Sequence, residues 1–201
     1  MKRRYELRRR AESQAGTRRK IVEATVHLHE KLGPRATTIS AIAEQAGVQR
    51  LTVYRHFPDD TALFAACSGH WLAQHPLPDP AIWRSIAEWR PRCRAAFAVF
   101  YTYYRRNDDM LASVFRDADL PAMQAPMQGF AGFYRQTRED LLEAAPPALA
   151  RSKPFGETIG HALVFVTWQG LADRFTDGEM VNLVMAWLEG IAATEEGMRG
   201  P

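Results

Sequence analysis

A short stretch near the N-terminus concentrates side chains that form hydrogen bonds or carry positive charge. Between Gly47 and Pro58 the chain has no Asp or Glu. Its polar side chains are Gln49, Arg50, Thr52, Tyr54, Arg55 and His56. Side chains of these types bind phosphates and the edges of bases, whereas an ordinary surface helix more often carries Glu and Lys. The stretch is therefore a candidate for contact with a nucleic acid.

Motifs for other kinds of chemistry are missing from the sequence. There is no GxSxG elbow and no GxxxxGK phosphate loop. His27 and His29 are two residues apart and point in different directions on a helix, so they do not form a metal-binding pair. Asp108 and Asp109 are typical of a helix start rather than of an acid and base pair. We therefore predict that the protein is not an enzyme and holds no metal and no cofactor.

The composition is that of a globular protein. Of 201 residues, 46% are hydrophobic and 24% are charged. No apolar run approaches the roughly 20 residues needed to span a bilayer, and no signal-peptide pattern follows the N-terminal arginines. Cys67 and Cys93 make neither a disulfide framework nor a paired-thiol metal motif. These features predict a cytoplasmic protein without a membrane partner.

Helices must position the polar stretch, because strand signals are nearly absent. Apolar spacing and stop signals predict helices at about 17–32, between Thr38 and Gly47, and at about 49–56, 60–75, 81–106, 108–117, 121–144, 155–175 and 177–195. Thr38 can cap its helix, and Gly47 can end it in a left-handed conformation. Two short helices joined by a glycine turn, with a third packed across them, form a helix-turn-helix whose second helix fits the major groove.

Positive charge is concentrated at one end of the chain. Residues 1–60 contain 13 Lys and Arg against 7 Asp and Glu, whereas residues 61–201 contain 13 against 16. Within residues 1–20 there are 9 basic and 2 acidic side chains. A polyanion is the simplest partner for this end, and a solubilising tail or a membrane-surface contact are the alternatives.

The stretch from Thr37 to Phe57 resembles the TetR family of bacterial transcriptional regulators almost position by position. The shared features are a threonine cap, the pair Ile42-Ala43, the turn Ala46-Gly47-Val48, the helix Thr52-x-Tyr54-x-x-Phe57 and the following Leu63-Phe64. The resemblance covers about residues 17–66. It implies an all-α fold with an N-terminal domain that binds DNA and a C-terminal domain that dimerises and binds a small inducer.

The resemblance also implies roles for individual residues. The residues implied to bind DNA are Thr37, Thr38, Gln49, Arg50, Thr52, Tyr54, Arg55 and His56. Thr38, Tyr54 and His56 correspond to phosphate contacts, and the others on the second helix face the groove. Arg50 and Arg55 can bind guanine, and Gln49 can bind adenine. A solvated surface or a nonspecific backbone contact is the alternative for each, and Tyr54 can instead pack within the domain.

Three positions depart from the family pattern. Gln49 stands where a small hydroxyl residue is usual, and Leu51 stands where glycine is frequent. We expect Leu51 to pack against the first helix, with contact to a thymine methyl as the alternative. Asp60 replaces a lysine that grips phosphate in many members. The basic arm at 2–10 can substitute for that anchor by following the DNA backbone or entering the minor groove, unless it is only a floppy extension.

Aromatic stripes in the C-terminal half suggest a ligand site. The candidate ligand-binding residues are Phe97, Phe100, Tyr101, Tyr104, Phe130, Phe133, Tyr134, His161, Phe165 and Trp168. The first stripe comprises Phe97, Phe100, Tyr101 and Tyr104. In the family the helix at this position lines the ligand pocket. Aromatic walls with a few hydroxyl groups suit a moderately apolar ligand. For any one of the rings core packing is the simpler interpretation, and for His161 a hydrogen-bonded core histidine is the simpler interpretation.

The last two predicted helices, at about 155–175 and 177–195, suggest a dimer. The first carries apolar rows on two sides and must therefore be covered on two sides, and the second has one broad apolar face. Pairing with a second copy would give a four-helix bundle, which is also where the family dimerises. A deeper monomeric core is the alternative.

The predicted organisation is a basic arm at 1–16, a helix-turn-helix domain at 17–62, and a helical ligand-binding and dimerisation domain at 63–201. We expect a ligand-responsive transcriptional regulator that acts as a repressor. It is expected to bind a palindromic double-stranded DNA operator as a homodimer and to be released by a small-molecule inducer. The competing hypothesis is an all-helical ligand-binding or catalytic protein whose basic arm meets nucleic acid or membrane without sequence preference.

Overall fold

Helices make up the regular structure of the protein. The computed structural model describes residues 2–197, without the side chains of residues 2–4 and 7, and within this range it contains no strand. The helices are α1 (Lys2–Leu32), α2 (Ile39–Ala46), α3 (Arg50–His56), α4 (Asp60–Gln74), α5 (Ala81–Arg84), α6 (Trp89–Arg106), α7 (Asp108–Arg116), α8 (Gln124–Glu143), α9 (Pro147–Ala150), α10 (Lys153–Leu163), α11 (Phe165–Ala172) and α12 (Asp177–Gly197), with a 3-10 turn at Pro121–Met123. The predicted all-α fold class is confirmed. No helix in the described range is long and apolar enough to cross a membrane.

The chain forms two compact units. The first comprises the residues up to Pro76 together with Asp109–Met127, and the second comprises Leu77–Asp108 together with the residues from Gln128 onward. Helix α4, which the predicted boundary between 62 and 63 divides, lies wholly in the first unit. Its Leu63 and Phe64 are buried in the same core as Ile21 of α1. Hydrophobic burial therefore keeps α4 with α1.

The turn between α2 and α3 forms as the sequence predicts. Thr38 Oγ1 accepts a hydrogen bond from Ala41 N at 3.1 Å and so caps α2. Gly47 ends α2 with φ 66°, in the left-handed region that glycine favours. Val53 and Phe57 are buried in the core that α1 also lines, which fixes the side of α3 that faces inward.

The N-terminal arm is helical. The sequence predicts a first helix at 17–32 with a separate arm before it, but α1 runs without interruption from Lys2 to Leu32. Arg, Glu, Leu and Ala are strong helix formers, and Arg8 pairs with Glu12 one turn on at 2.9 Å. The floppy extension is therefore the wrong description of the backbone, while the side chains of Lys2, Arg3 and Arg4 lie outside the described residues.

The segment Asp109–Met127 closes on the loop between α1 and α2. Buried Asp117 accepts a hydrogen bond from Arg35 N at 2.9 Å, and the Arg35 guanidinium pairs with Asp119. Gly33 has φ 88°, and a Cβ at this position would lie 2.8 Å from Asp117 Oδ2. Both the backbone conformation and the close approach require glycine here.

Aromatic rings fill the centre of the second unit. The largest fully buried side chains there are Trp83, Phe97, Phe100, Tyr101, Tyr104, Phe155, Phe165 and Trp168. Helices α6, α10 and α12 pack against one another in this unit. Buried Asp140 of α8 accepts hydrogen bonds from Trp83 Nε1 at 3.3 Å and Arg84 Nε at 2.7 Å, which ties α5 to α8.

The prediction of one helix at 155–175 is wrong. The chain forms α10 and α11, and Val164 between them is extended, with φ −78° and ψ 143°. A helix end leaves carbonyl groups without partners inside the helix. Tyr101 Oη donates to Ala162 O at 3.0 Å, and Tyr104 Oη donates to Leu163 O at 2.5 Å. Hydrogen bonds from α6 therefore satisfy carbonyls that a continuous helix would have satisfied by itself.

The helix predicted at 81–106 is also divided, into α5 and α6. The buried guanidinium of Arg92 donates to the carbonyl of Arg84 at 3.1 Å and to that of Ile86 at 2.5 Å. It also donates to the carbonyl of Asp140 at 2.8 Å. One buried cation of α6 thus takes up backbone acceptors at the end of α5, within the break and on α8, and each bond to a charged donor is a strong one.

Candidate nucleic-acid interface

Helix α3 has one buried and one exposed face. Val53 and Phe57 pack into the core, and the guanidinium of Arg18 from α1 lies over the Phe57 ring at 4.6 Å. Arg55 is exposed on the other face, Arg50 is exposed as the first residue of the helix, and Tyr54 is 46% exposed. Tyr54 is therefore not buried in the core of the domain. The buried inner face fixes which side of α3 is exposed.

The remaining candidates on α3 flank this exposed face. Gln49 is exposed and extended immediately before α3, and its side chain makes no capping hydrogen bond. Thr52 and His56 are half-buried. The structure thus brings all six polar side chains of the stretch onto one short helix and its cap.

The two threonines before α2 have different hydroxyl environments. Thr37 is half-buried, and its hydroxyl donates to Gly33 O at 2.8 Å. Thr38 is exposed, and its hydroxyl oxygen accepts the capping bond from Ala41 N. A threonine hydroxyl has one proton to donate and two lone pairs. The proton of Thr38 remains for an external acceptor such as a phosphate, whereas that of Thr37 is already used.

Leu51 does not pack against the first helix. It is 68% exposed, although the sequence predicts burial against its neighbour. The reason is geometric, because a residue two positions before buried Val53 lies on roughly the opposite side of the helix. Leu51 therefore projects outward with the polar side chains.

A basic cleft joins α1 to the C-terminal end of α3. It has a volume of about 380 Å³ and is lined by Arg18, Arg55 and His56, together with Ala11, Gln14 and Ala15. Arg18 is not among the site residues predicted from the sequence. Its signal was present in the basic cluster at 18–20, but only the folded structure places it beside Arg55. The cleft extends the positive surface from α3 onto α1, and such a surface attracts an anionic backbone.

The predicted ligand site lies among rings that contact one another. Tyr104 packs against Phe165 at 5.5 Å and Trp168 at 5.8 Å between ring centroids, and Phe100 stacks on Phe133 at 5.5 Å. Phe97 stacks on Tyr101 at 6.2 Å, Phe130 lies 6.3 Å from Tyr134, and the hydroxyls of Tyr104 and Tyr134 are 3.2 Å apart. Burial raises the pKa of the Tyr101 and Tyr104 hydroxyls above the usual range, so both remain protonated donors. Nine of the ten candidates thus form one aromatic core.

His161 is the exception, and the interpretation of it as a core histidine is wrong. It is exposed, with Thr167 Oγ1 at 3.4 Å. The break at Val164 explains this, because it changes the phase between α10 and α11. The sequence places Ile159, Leu163 and Val166 in one apolar row of the predicted helix at 155–175. The break divides this row, because Ile159 and Leu163 are buried whereas Val166 is exposed.

Helix α12 carries an apolar strip on its surface. Trp187 is 37% exposed and lies in a shallow groove with Ala186, Gly190 and Ile191. Pro154 of α10 forms another part of the groove. Among the described residues no group of three or more His, Cys, Asp or Glu could hold a metal ion.

The fold and the exposed α3 together define a helical protein with an N-terminal helix-turn-helix. Residues 21–67 match the family model described as bacterial regulatory proteins, tetR family. The helix-turn-helix therefore matches the TetR family of regulators over this part of the chain. No curated protein matches the chain at a significant level.

Solved structures share the fold across most of the chain. A protein of Pseudomonas aeruginosa PAO1 assigned as a transcriptional regulator is 18% identical, with 88% of this chain and 90% of that chain covered and a TM-score of 0.65. A TetR-like transcriptional regulator from Rhodococcus sp. RHA1 is 17% identical, with 88% and 96% covered and a TM-score of 0.60. A tetR-family transcriptional regulator from Streptomyces coelicolor is 16% identical, with 90% and 82% covered and a TM-score of 0.58. These similarities establish a common fold.

Proposed function

We propose that this protein is a ligand-responsive repressor that binds a palindromic DNA operator as a homodimer and is released by a small inducer. The observation that carries the proposal is the acid-free, exposed face of α3, held in place by buried Val53 and Phe57. A helix fixed in this way can enter the major groove with its N-terminal residues on base edges. Because its target is DNA, we assign the protein to the cytoplasm.

Individual side chains have distinct roles in this proposal. Arg50 and Arg55 bind guanine through two parallel hydrogen bonds, and Gln49 binds adenine. Tyr54, His56 and the free proton of Thr38 bind phosphates, which fix the register of the protein on the duplex. The helical arm and Arg18 add phosphate contacts where Asp60 replaces the usual lysine, and these contacts make binding sensitive to salt.

The apolar strip on α12 supports the dimer. A second copy related by two-fold symmetry would bury Trp187 and Ile191 against the same residues of its partner. Two α3 helices held about 34–36 Å apart would then meet successive major-groove faces, which accounts for a palindromic operator.

Induction is an equilibrium between two states of the dimer. A ligand bound among the aromatic rings of the second unit must favour the state whose two α3 helices cannot span both half-sites. The rings are apolar and the tyrosine hydroxyls are protonated, so a moderately apolar, neutral ligand suits this environment best.

DNA binding measured with defined variants tests the proposal. The purified protein is first tested in gel shifts against the DNA upstream of its own coding region, and against a random duplex, at two salt concentrations. We expect Arg50→Ala to lose base preference and Tyr54→Ala to weaken binding to every sequence by a similar factor. Arg135→Ala, which removes an exposed arginine from the second unit, is the matched control and should bind like the parent protein.

The same measurements distinguish the competing hypothesis. Salt-sensitive binding that is equal for the specific and the random duplex would support a nonspecific basic arm instead. Equal effects of Arg50→Ala and Tyr54→Ala on all sequences would show that the division into base and phosphate contacts is wrong.

A further inference from the structure

Leu51 is an apolar side chain on the outward face of a helix that is otherwise polar there. It is 68% exposed, whereas Val53 is buried. Residues two positions apart on a helix differ by about 160° around its axis, so Leu51 points almost directly away from the core. A single exposed leucine is ordinary on most surfaces. At this position it is flanked by Arg50 and Tyr54, the side chains assigned to DNA.

The major groove offers one kind of apolar group to such a side chain. Among the four bases only thymine presents a methyl there, and N-terminal residues of a recognition helix reach base edges. Leu51 is the second residue of α3. Resting on the proposed function, we propose that Leu51 is a specificity-determining residue that packs on a thymine methyl in each operator half-site.

The spacing on α3 adds a constraint on the half-site. Arg55 is four residues after Leu51, so the two side chains lie on one face about 5–6 Å apart. Successive bases on a strand are about 3.4 Å apart. When Arg55 binds guanine, the thymine below Leu51 therefore lies within about two base pairs of that guanine.

Removing single methyl groups from the DNA tests this inference. Random duplexes are first selected with the full-length protein to obtain its preferred site. Each thymine of one half-site is then replaced in turn by deoxyuridine, which lacks only the methyl, and affinity is measured by fluorescence anisotropy. We expect one replacement to weaken binding about three- to five-fold, the effect of leaving one methyl group unburied. The same replacement should leave the affinity of Leu51→Ala unchanged.

Two further variants guard against indirect effects. Leu51→Met keeps an apolar side chain and should retain the dependence on the methyl group. Leu32→Ala removes an exposed leucine at the end of α1, outside α3, and should respond to deoxyuridine like the parent protein. Alanine is the best helix former and Leu51 is largely exposed, so Leu51→Ala should fold normally.

The outcomes are separable. The role of Leu51 is overturned, while the proposed function stands, if a specific sequence is selected but removing a thymine methyl never weakens binding. It is also overturned if removing the methyl lowers the affinity of Leu51→Ala as much as that of the parent protein. If selection yields no preferred sequence, the proposed function fails and the role of Leu51 fails with it.

Discussion

At the scale of the residue, His29 shows how burial sets chemistry in this protein. It is 3% exposed, packs edge-on against Phe64 with ring centroids 4.6 Å apart, and places Nδ1 3.7 Å from Cys67 Sγ. Desolvation lowers the pKa of His29 to about 4, against a smaller opposing effect of Asp117. Burial likewise raises the pKa of the Cys67 thiol to about 12. Both groups are therefore neutral at pH 7 and act as core side chains rather than as an acid, a base or a nucleophile.

Acid should destabilise the protein through His29. The unfolded chain binds a proton at His29 below about pH 6.5, whereas the folded state resists protonation until about pH 4. The contribution of neutral His29 to the free energy of unfolding is therefore fully present above pH 6.5 and is lost as the pH falls towards 4. Between pH 7 and pH 5 we expect a loss of about 2 kcal/mol in the free energy of unfolding.

Urea unfolding at the two pH values measures this loss. His29→Leu should show a pH dependence smaller by that amount, whereas His27→Leu, which replaces an exposed histidine on the same helix, should behave like the parent protein. An unchanged pH dependence in His29→Leu would show that His29 titrates normally in the folded state.

At the scale of the element, apolar spacing and capping residues are sufficient to predict α2, α3 and α4 to within about one residue. Each begins or ends at a local signal, such as the cap at Thr38 or the left-handed Gly47. The break at Val164 has no such signal in its own segment. It depends on hydroxyl donors from α6, which are 61 and 59 residues away in sequence. Hydrophobic periodicity predicts which face of a helix is apolar. It contains no information about hydrogen-bond donors from a distant segment, so it does not predict where such donors end a helix.

Removing one of those donors should destabilise the second unit. In Tyr104→Phe the ring is kept, but Leu163 O loses its partner in the core, and we expect a loss of about 1–3 kcal/mol in the free energy of unfolding. Tyr54→Phe removes a hydroxyl from an exposed tyrosine and should change stability by less than about 0.5 kcal/mol. Urea unfolding of both variants gives the comparison, and equal stabilities would mean that the break at Val164 does not need the Tyr104 hydroxyl.

At the scale of the whole molecule, charge and apolar surface are assigned to different ends of the chain. Residues 1–60 carry the excess of positive charge, and α12 carries an exposed apolar strip. The first feature suits a polyanion and the second suits a protein partner. These two features are the ones that the proposed DNA contact and the proposed dimer contact each require.

A charge on the strip should prevent dimer formation. In Trp187→Glu a carboxylate replaces an aromatic anchor, and we expect the dimer to dissociate at least thirty-fold more readily, about 2 kcal/mol. Light scattering coupled to size-exclusion chromatography measures the mass, and binding to a palindromic duplex should weaken in parallel. Ile82→Glu places the same charge on the exposed side of α5 and is the matched control. A Trp187→Glu protein that keeps the parent's dimeric mass would place the interface elsewhere.

The sequence by itself determined the helix-turn-helix and the inward face of α3. Their signals are local. Thr38 caps α2, Gly47 forms the turn after it, and the apolar Val53 and Phe57 are separated by about one helical turn. Each of these interactions involves residues only a few positions apart. Only the tertiary structure decided that Arg18 lies beside Arg55, and that the helix predicted at 155–175 breaks at Val164 and leaves His161 exposed. These outcomes depend on packing and hydrogen bonds between segments far apart in the chain, and such contacts exist only once those segments have folded together.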